Sequence, residues 1–242
     1  AVISCATSTS SGAYSVPVPL NTSVTIRVLA EMRQTTAPTS HFRAVDNTAS
    51  NALWAMQGTQ ASSGTTNQTR NLNAASGWGG TAYNAPRIAA PFAILDAVYD
   101  AVTLIRSSAP TTNFPALDLN WSPNNTIALI GTSHYNGTGI FILGGADSDT
   151  DEYDRHVIIH EFGHYFEDNF SRSDSIGGSH FAGEKLDMRL AFGEGFGNAF
   201  SAMASNDPVY KDAIGPGQGG GFSFNLETNP STATGGWFSE ES

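Results

Sequence analysis

The clearest hydrophobic pattern in the chain runs from Pro91 to Arg106. Phe92, Leu95, Val98, Tyr99, Val102 and Ile105 recur at the helical period, and proline suits a first helical turn. A second helix is predicted around His156–Glu167, where Tyr153, Val157, Ile158, Phe162, Tyr165 and Phe166 form a broad apolar face. Three strands precede it: Leu117–Trp121, Thr126–Gly131 and, with the strongest pattern, Gly139–Gly144. Near the N-terminus Tyr14, Val16, Val18 and Leu20 alternate, as do Val24, Ile26 and Val28 after the turn-like Asn21-Thr22-Ser23. Pro17 and Pro19 assign the first of these runs to a sheet edge.

Other stretches are less regular. Val45, Ala49, Ala52, Leu53 and Met56 have helical spacing, which predicts a helix over Ala44–Gln57 stopped by Gly58. Thr59–Tyr83 is polar and reads as a loop of functional or mobile type. Residues 206–242 are rich in Gly and Pro, with a short strand expected at Phe222–Leu226 and a helix start at Gly236–Ser242. The order of elements predicts an α+β fold. Residues 1–35 form a short β segment, either the tail of an upstream β-domain or packed on the main domain, which spans residues 36–242.

Composition narrows the functions. The chain has 242 residues, enough for one large domain or two small ones. Only 14% are charged, offset by Ser, Thr, Asn and Gly, a composition common in secreted and cell-surface proteins. An extracellular or cell-envelope location is therefore expected. A net charge of -11 argues against a nucleic-acid partner. No apolar run reaches the roughly 18 residues of a membrane span. The single cysteine, Cys5, excludes a disulfide within the chain.

The apolar helix around His156–Glu167 carries His160, Glu161 and His164, an H-E-x-x-H pattern. Positions i and i+4 of a helix share one face, so both imidazoles reach one small cation. Neutral imidazole suits Zn²⁺, and the intervening glutamate can take a proton from bound water. The bland alternative is a helix with two surface histidines, but buried imidazoles and carboxylates need partners, and a metal is an efficient one. Glu167 and Phe170 stand where a metzincin needs glycine and histidine. Cys5 lacks the context of a peptide-deformylase ligand.

Leu190–Phe200 supplies Glu194 within Gly-Glu-Gly-Phe-Gly-Asn-Ala-Phe, and here residues 90–205 resemble the gluzincins, the thermolysin-like and aminopeptidase-like zinc peptidases. The interval from His164 to Glu194 is longer than usual in that group. The resemblance implies a zincin-like catalytic domain, a mixed sheet with an active-site helix and backing helices. It implies one Zn²⁺ per chain held by His160, His164 and Glu194, with Glu161 as general base. It also implies that Asn198 holds a zinc histidine through its second nitrogen, as an acid does in thermolysin-like enzymes. The strand Ile140, Phe141, Ile142 and Leu143 would pair with a substrate backbone. Tyr210 is the downstream candidate for a transition-state stabiliser, and His180 a second candidate that also reads as a surface histidine. The alternative is a stabiliser past Ser242, in a C-terminal portion of the same catalytic domain, and further domains of a longer chain are expected as partners. Gly193, Gly195 and Gly197 each cost roughly 1 kcal/mol of helix propensity, understandable where two helices approach closely.

Five of the nine residues Ala146–Asp154 are acids. Asp147, Asp149 and Asp151 are spaced as in the first half of a calcium loop, but Glu152 and Ile158 at the sixth and twelfth positions exclude an EF-hand. Two readings stand: a capping box, Asp149-x-x-Glu152, or a Ca²⁺ site of another type. The function expected is a zinc metallopeptidase acting on peptide or protein substrates. The alternatives are a zincin-like zinc-binding surface or adhesion protein without strong activity, and a calcium-dependent surface module.

Overall fold

The computed structural model describes residues 1–181 and 184–228, so the helix start expected at Gly236–Ser242 lies outside the described residues. In chain order the early strands are β1 (Ser23–Val24), β2 (Arg27–Leu29), β3 (Glu31–Gln34), β4 (Ser40–Asp46), β5 (Ala52–Leu53), β6 (Ala55–Gln57) and β7 (Ala61–Ser62). Helix α1 (Ala90–Ser108) is next, then β8 (Leu117–Trp121), α2 (Ile127–Ile130), β9 (His134–Tyr135), β10 (Gly139–Ile142), β11 (Gly144–Gly145) and β12 (Asp149–Thr150). Helices α3 (Arg155–Phe170) and α4 (Met188–Ser205) precede the hairpin β13 (Val209–Ile214) and β14 (Gly220–Asn225). Among the described residues the protein is thus α+β with four helices, and no helix is long and apolar enough to cross a membrane.

The chain divides into two units. The first, residues 1–29 and 55–74, holds two antiparallel ribbons, β1–β7 and β2–β6. The Arg70 guanidinium donates to the carbonyls of Val24, Ala61 and Ser62, replacing hydrogen bonds that such short strands cannot make. The expected Tyr14–Leu20 strand is absent, since Pro17 and Pro19 have no N–H to offer a neighbour. The β segment expected over 1–35 is therefore completed by partners from residues 55–62, and Glu31–Gln34 belongs to the second unit.

The second unit is built on a mixed six-stranded sheet in the order β3-β4-β8-β10-β9, with β5 paired to β4. Strands β4, β8 and β10 run parallel, while β3 and β9 are antiparallel edges. Helix α1 lies against β4, α3 against β9 and β10, and α4 against α1 and α3. Phe42, Leu119, Trp121, Ile140, Ile94 and Phe162 are fully buried where these layers meet. Strands β11, β12, β13 and β14 form a second, antiparallel sheet.

Three local expectations are overturned. Ala44–Gln57 is not a helix: Ser50 and Asn51, at φ 56° and 55°, turn the chain between β4 and β5, and Ala44 and Val45 are buried in the sheet. Thr126–Gly131 is not a strand but the single turn α2, ended by Gly131 at φ 81°, with Ile127 and Leu129 exposed. Asp149-x-x-Glu152 is not a capping box. Asp149 is in β12, and Asp154 is the N-cap residue of α3, its Oδ2 accepting from the Ala213 amide at 2.9 Å. Glu152 is fully buried and ion-paired to Arg87, whose guanidinium also donates to the Gly144 carbonyl. Trp121 Nε1 donates to the other Glu152 oxygen at 3.2 Å.

Candidate metal centre

Helix α3 buries Val157, Ile158, Ile159, Phe162 and Tyr165, and this fixes its rotation. The same rotation brings His160 and His164 toward α4, their Nε2 atoms 3.0 Å apart. Helix α4 starts at Asp187, whose carboxylate accepts from the Arg189 amide, and carries Glu194 and Asn198 one turn apart. The two helices meet at glycines. A Cβ on Gly163 would lie 3.3 Å from Gly197 Cα, and one on Gly197 would lie 2.9 Å from the His160 ring. Gly193 has no comparable close neighbour, so the close approach that the glycines suggested belongs to Gly163 and Gly197.

The donor atoms converge. Glu194 Oε2 lies 3.0 Å from His160 Nε2, and Glu194 Oε1 lies 3.6 Å from His164 Nε2. His160 Nδ1 donates to Asn198 Oδ1 at 2.8 Å, which leaves Nε2 with the lone pair in the neutral tautomer. His160 Nε2, the second imidazole nitrogen and a carboxylate oxygen then face one another at about 3 Å, an arrangement that a proton on Nε2 or a metal cation holds together. Ligand atoms about 2.0–2.1 Å from a tetrahedral Zn²⁺ are about 3.3 Å apart, close to the separations here. The donor set therefore fits a divalent metal ion of the zinc type.

Electrostatics agree with that fit. Burial opposes protonation of His160, but the hydrogen bond with Glu194 and the charges of Glu161 and Glu194 outweigh it and raise its pKa to about 9. Burial likewise works against the Glu194 carboxylate, yet contacts with His160, His164 and His180 hold its pKa far below the usual range. A centre that attracts a proton this strongly attracts a metal cation for the same reason.

Glu161 also has a carboxylate oxygen within 4.8 Å of the histidine donors. Its Oε2 accepts from the Tyr135 amide of β9 at 2.8 Å, whereas Glu194 contacts both imidazoles directly. Of the two carboxylates, Glu194 is therefore the one in direct contact with both imidazoles, and Glu161 is held by the β9 backbone.

The centre opens into a cleft of about 1160 Å³. Its walls include Ser133–Asn136, Val157, His180, Leu190, Tyr210 and Phe224. Tyr210, on β13, has its ring centroid 6.4 Å from that of His160 and stacks with both Phe222 and Phe224 of β14. His180 Nε2 lies 3.2 Å from Glu194 Oε2, so this half-buried histidine reaches the Glu194 carboxylate.

The expected substrate strand is corrected. Ile140, Phe141 and Ile142 of β10 are paired with β8, and Ile140 and Phe141 also with β9, while Leu143 is buried and donates to Ser133 Oγ. No row of free amides remains on Ile140–Leu143, so the strand cannot accept a peptide by augmentation. The edge beside the cleft is β9, His134–Tyr135. Sequence reasoning missed Tyr135, because its role comes from a backbone amide and leaves no side-chain pattern.

Asp147 is exposed and stands apart from Asp149 and Asp151. A carboxylate from β13, Asp212, joins those two instead.

Compared with known proteins, the chain matches no family model and no curated sequence.

Proposed function

We propose that this protein is a metal-dependent hydrolase of peptide bonds, a zincin-like enzyme of the gluzincin type. The observation that carries the reading is the convergence of His160, His164 and Glu194, with Asn198 behind His160 and Glu161 held beside the donors by the Tyr135 amide. His160, His164 and Glu194 would hold Zn²⁺, which when bound acidifies water and polarises a carbonyl. Asn198 keeps the proton of His160 on Nδ1 and its ring in the ligating orientation. Glu161 accepts the proton of the attacking water and delivers it to the leaving amine. The edge strand β9 offers backbone groups along which an extended substrate could lie, and Tyr210 is suited to donate to developing negative charge in the cleft.

Glu161→Gln tests this reading. The variant should retain about one zinc per chain by elemental analysis yet lose roughly 10²–10⁴-fold in chelator-sensitive cleavage of a peptide library. Unchanged cleavage would remove Glu161 from the chemistry. A parent chain that binds zinc and cleaves nothing would favour a zinc-binding protein without peptidase activity.

A further inference from the structure

We infer that Asp149, Asp151 and Asp212 form a second cation site, of the calcium type, which fastens β12 to β13 on the wall of the same cleft. Each residue presents a carboxylate oxygen within 4.8 Å of the other two. Oxygens about 2.3–2.6 Å from a Ca²⁺ ion can be up to about 5 Å apart, so the three carboxylates can reach one such ion, whereas Mg²⁺ demands near-ideal octahedral geometry and gives up its water reluctantly.

A second observation singles this cluster out from ordinary surface acids. Asp151 is only 3% exposed and Asp149 only 9%. Oδ1 of Asp149, Asp151 and Asp212 is buried in each case and has no hydrogen-bond partner. Buried carboxylate oxygens without partners are costly, and a cation is what such oxygens normally coordinate. The neighbouring charges acting on Asp151 are Asp149, Asp212 and Asp154, all negative. Burial and this repulsion hold Asp151 well above the usual carboxylate range and push Asp212 up to about 6. One interaction is already in place: Ser133 Oγ donates to Asp151 Oδ2.

The topology says what the ion would do. Asp149 pairs with Ile214 across β12 and β13, and this single bridge is the whole ladder between the two strands. β13 carries Tyr210 into the cleft, and the Ala213 amide binds Asp154 at the start of α3. A cation on the three carboxylates would lock that short junction. It shares no ligand with the histidine centre, so the second site does not depend on the proposed hydrolase.

The test is a calcium titration of the full chain loaded with zinc, read by thermal melting and by terbium luminescence displaced by calcium. Saturating calcium should raise Tm by roughly 5–10 °C, and magnesium by far less. Asp212→Asn should lose the calcium shift, with a calcium-free Tm equal to or above the parent's because a buried repulsion is relieved. Asp147→Asn should keep the shift. His160→Ala should also keep it, which separates this site from the histidine centre. The calcium site is overturned if calcium moves neither Tm nor bound terbium in the parent chain, a readout that needs no variant to fold. It is equally overturned if Asp212→Asn keeps the full shift. Calcium insensitivity combined with loss of cleavage at lysine- or arginine-containing peptides in Asp212→Asn would instead make the cluster a receptor for a substrate's positive charge.

Discussion

Asn198 Oδ1 accepts from His160 Nδ1 at 2.8 Å, one turn of α4 beyond Glu194, whose carboxylate touches the other nitrogen of the same ring. One helix therefore grips both ends of one imidazole. Asn198→Ala should weaken zinc binding by about 10–100-fold, measured by competition with a chromophoric chelator, while far-UV circular dichroism stays unchanged. Asn198→Asp, which keeps the acceptor, should restore most of the affinity. Equal affinities for all three chains would show that the contact does not position the ligand.

Gly197, next to Asn198 on α4, packs against the same ring. In an ordinary helix, Gly→Ala stabilises by roughly 1 kcal/mol. Here the new methyl would meet three His160 ring atoms at 2.9–3.0 Å. Gly197→Ala should therefore lower zinc affinity, with little or no gain in Tm. A clear rise in Tm at unchanged affinity would mean that the helices part at no cost.

At Tyr210, binding and chemistry can be separated. Under the proposed function, Tyr210→Phe keeps the ring stack with Phe222 and Phe224 but loses the hydroxyl. Peptide cleavage should show kcat reduced by about 10²-fold with KM and zinc content little changed. If KM rises while kcat holds, the hydroxyl contacts substrate in the ground state only.

Arg87 and Glu152 concern the scaffold. Both are almost fully buried, and Arg87 also sits over the rings of Tyr83 and Trp121, at 4.8 Å and 5.3 Å. Removing one member of a buried pair strands the other, at a cost of about 3–5 kcal/mol. Arg87→Met should lower Tm by roughly 10 °C. The double variant Arg87→Met/Glu152→Gln should recover part of that loss. A double variant as unstable as the single one would locate the loss in the aromatic stacking and not in the stranded charge.

What the sequence by itself determined is what the backbone of one helix dictates. The period of Phe92–Ile105 marked α1, and the apolar face around Val157–Phe166 marked α3. His160 with His164, and Glu194 with Asn198, are each four residues apart, and a helix puts such pairs on one face whatever surrounds it. Even the contact between α3 and α4 had a local sign, in the glycines around Glu194.

The tertiary structure decided everything that depends on a partner far along the chain. Ala44 and Val45 became strand residues because β8, from Leu117–Trp121, lies beside β4 and outweighs the helical spacing of Ala44–Gln57. The best apolar strand, β10, proved to be interior, and the short polar β9 became the edge that reaches Glu161. Glu152 left its expected helix cap for Arg87, and Asp212 took the place expected of Asp147. In each case the choice turned on which buried charge or backbone group could be satisfied, and that is settled only when distant segments meet.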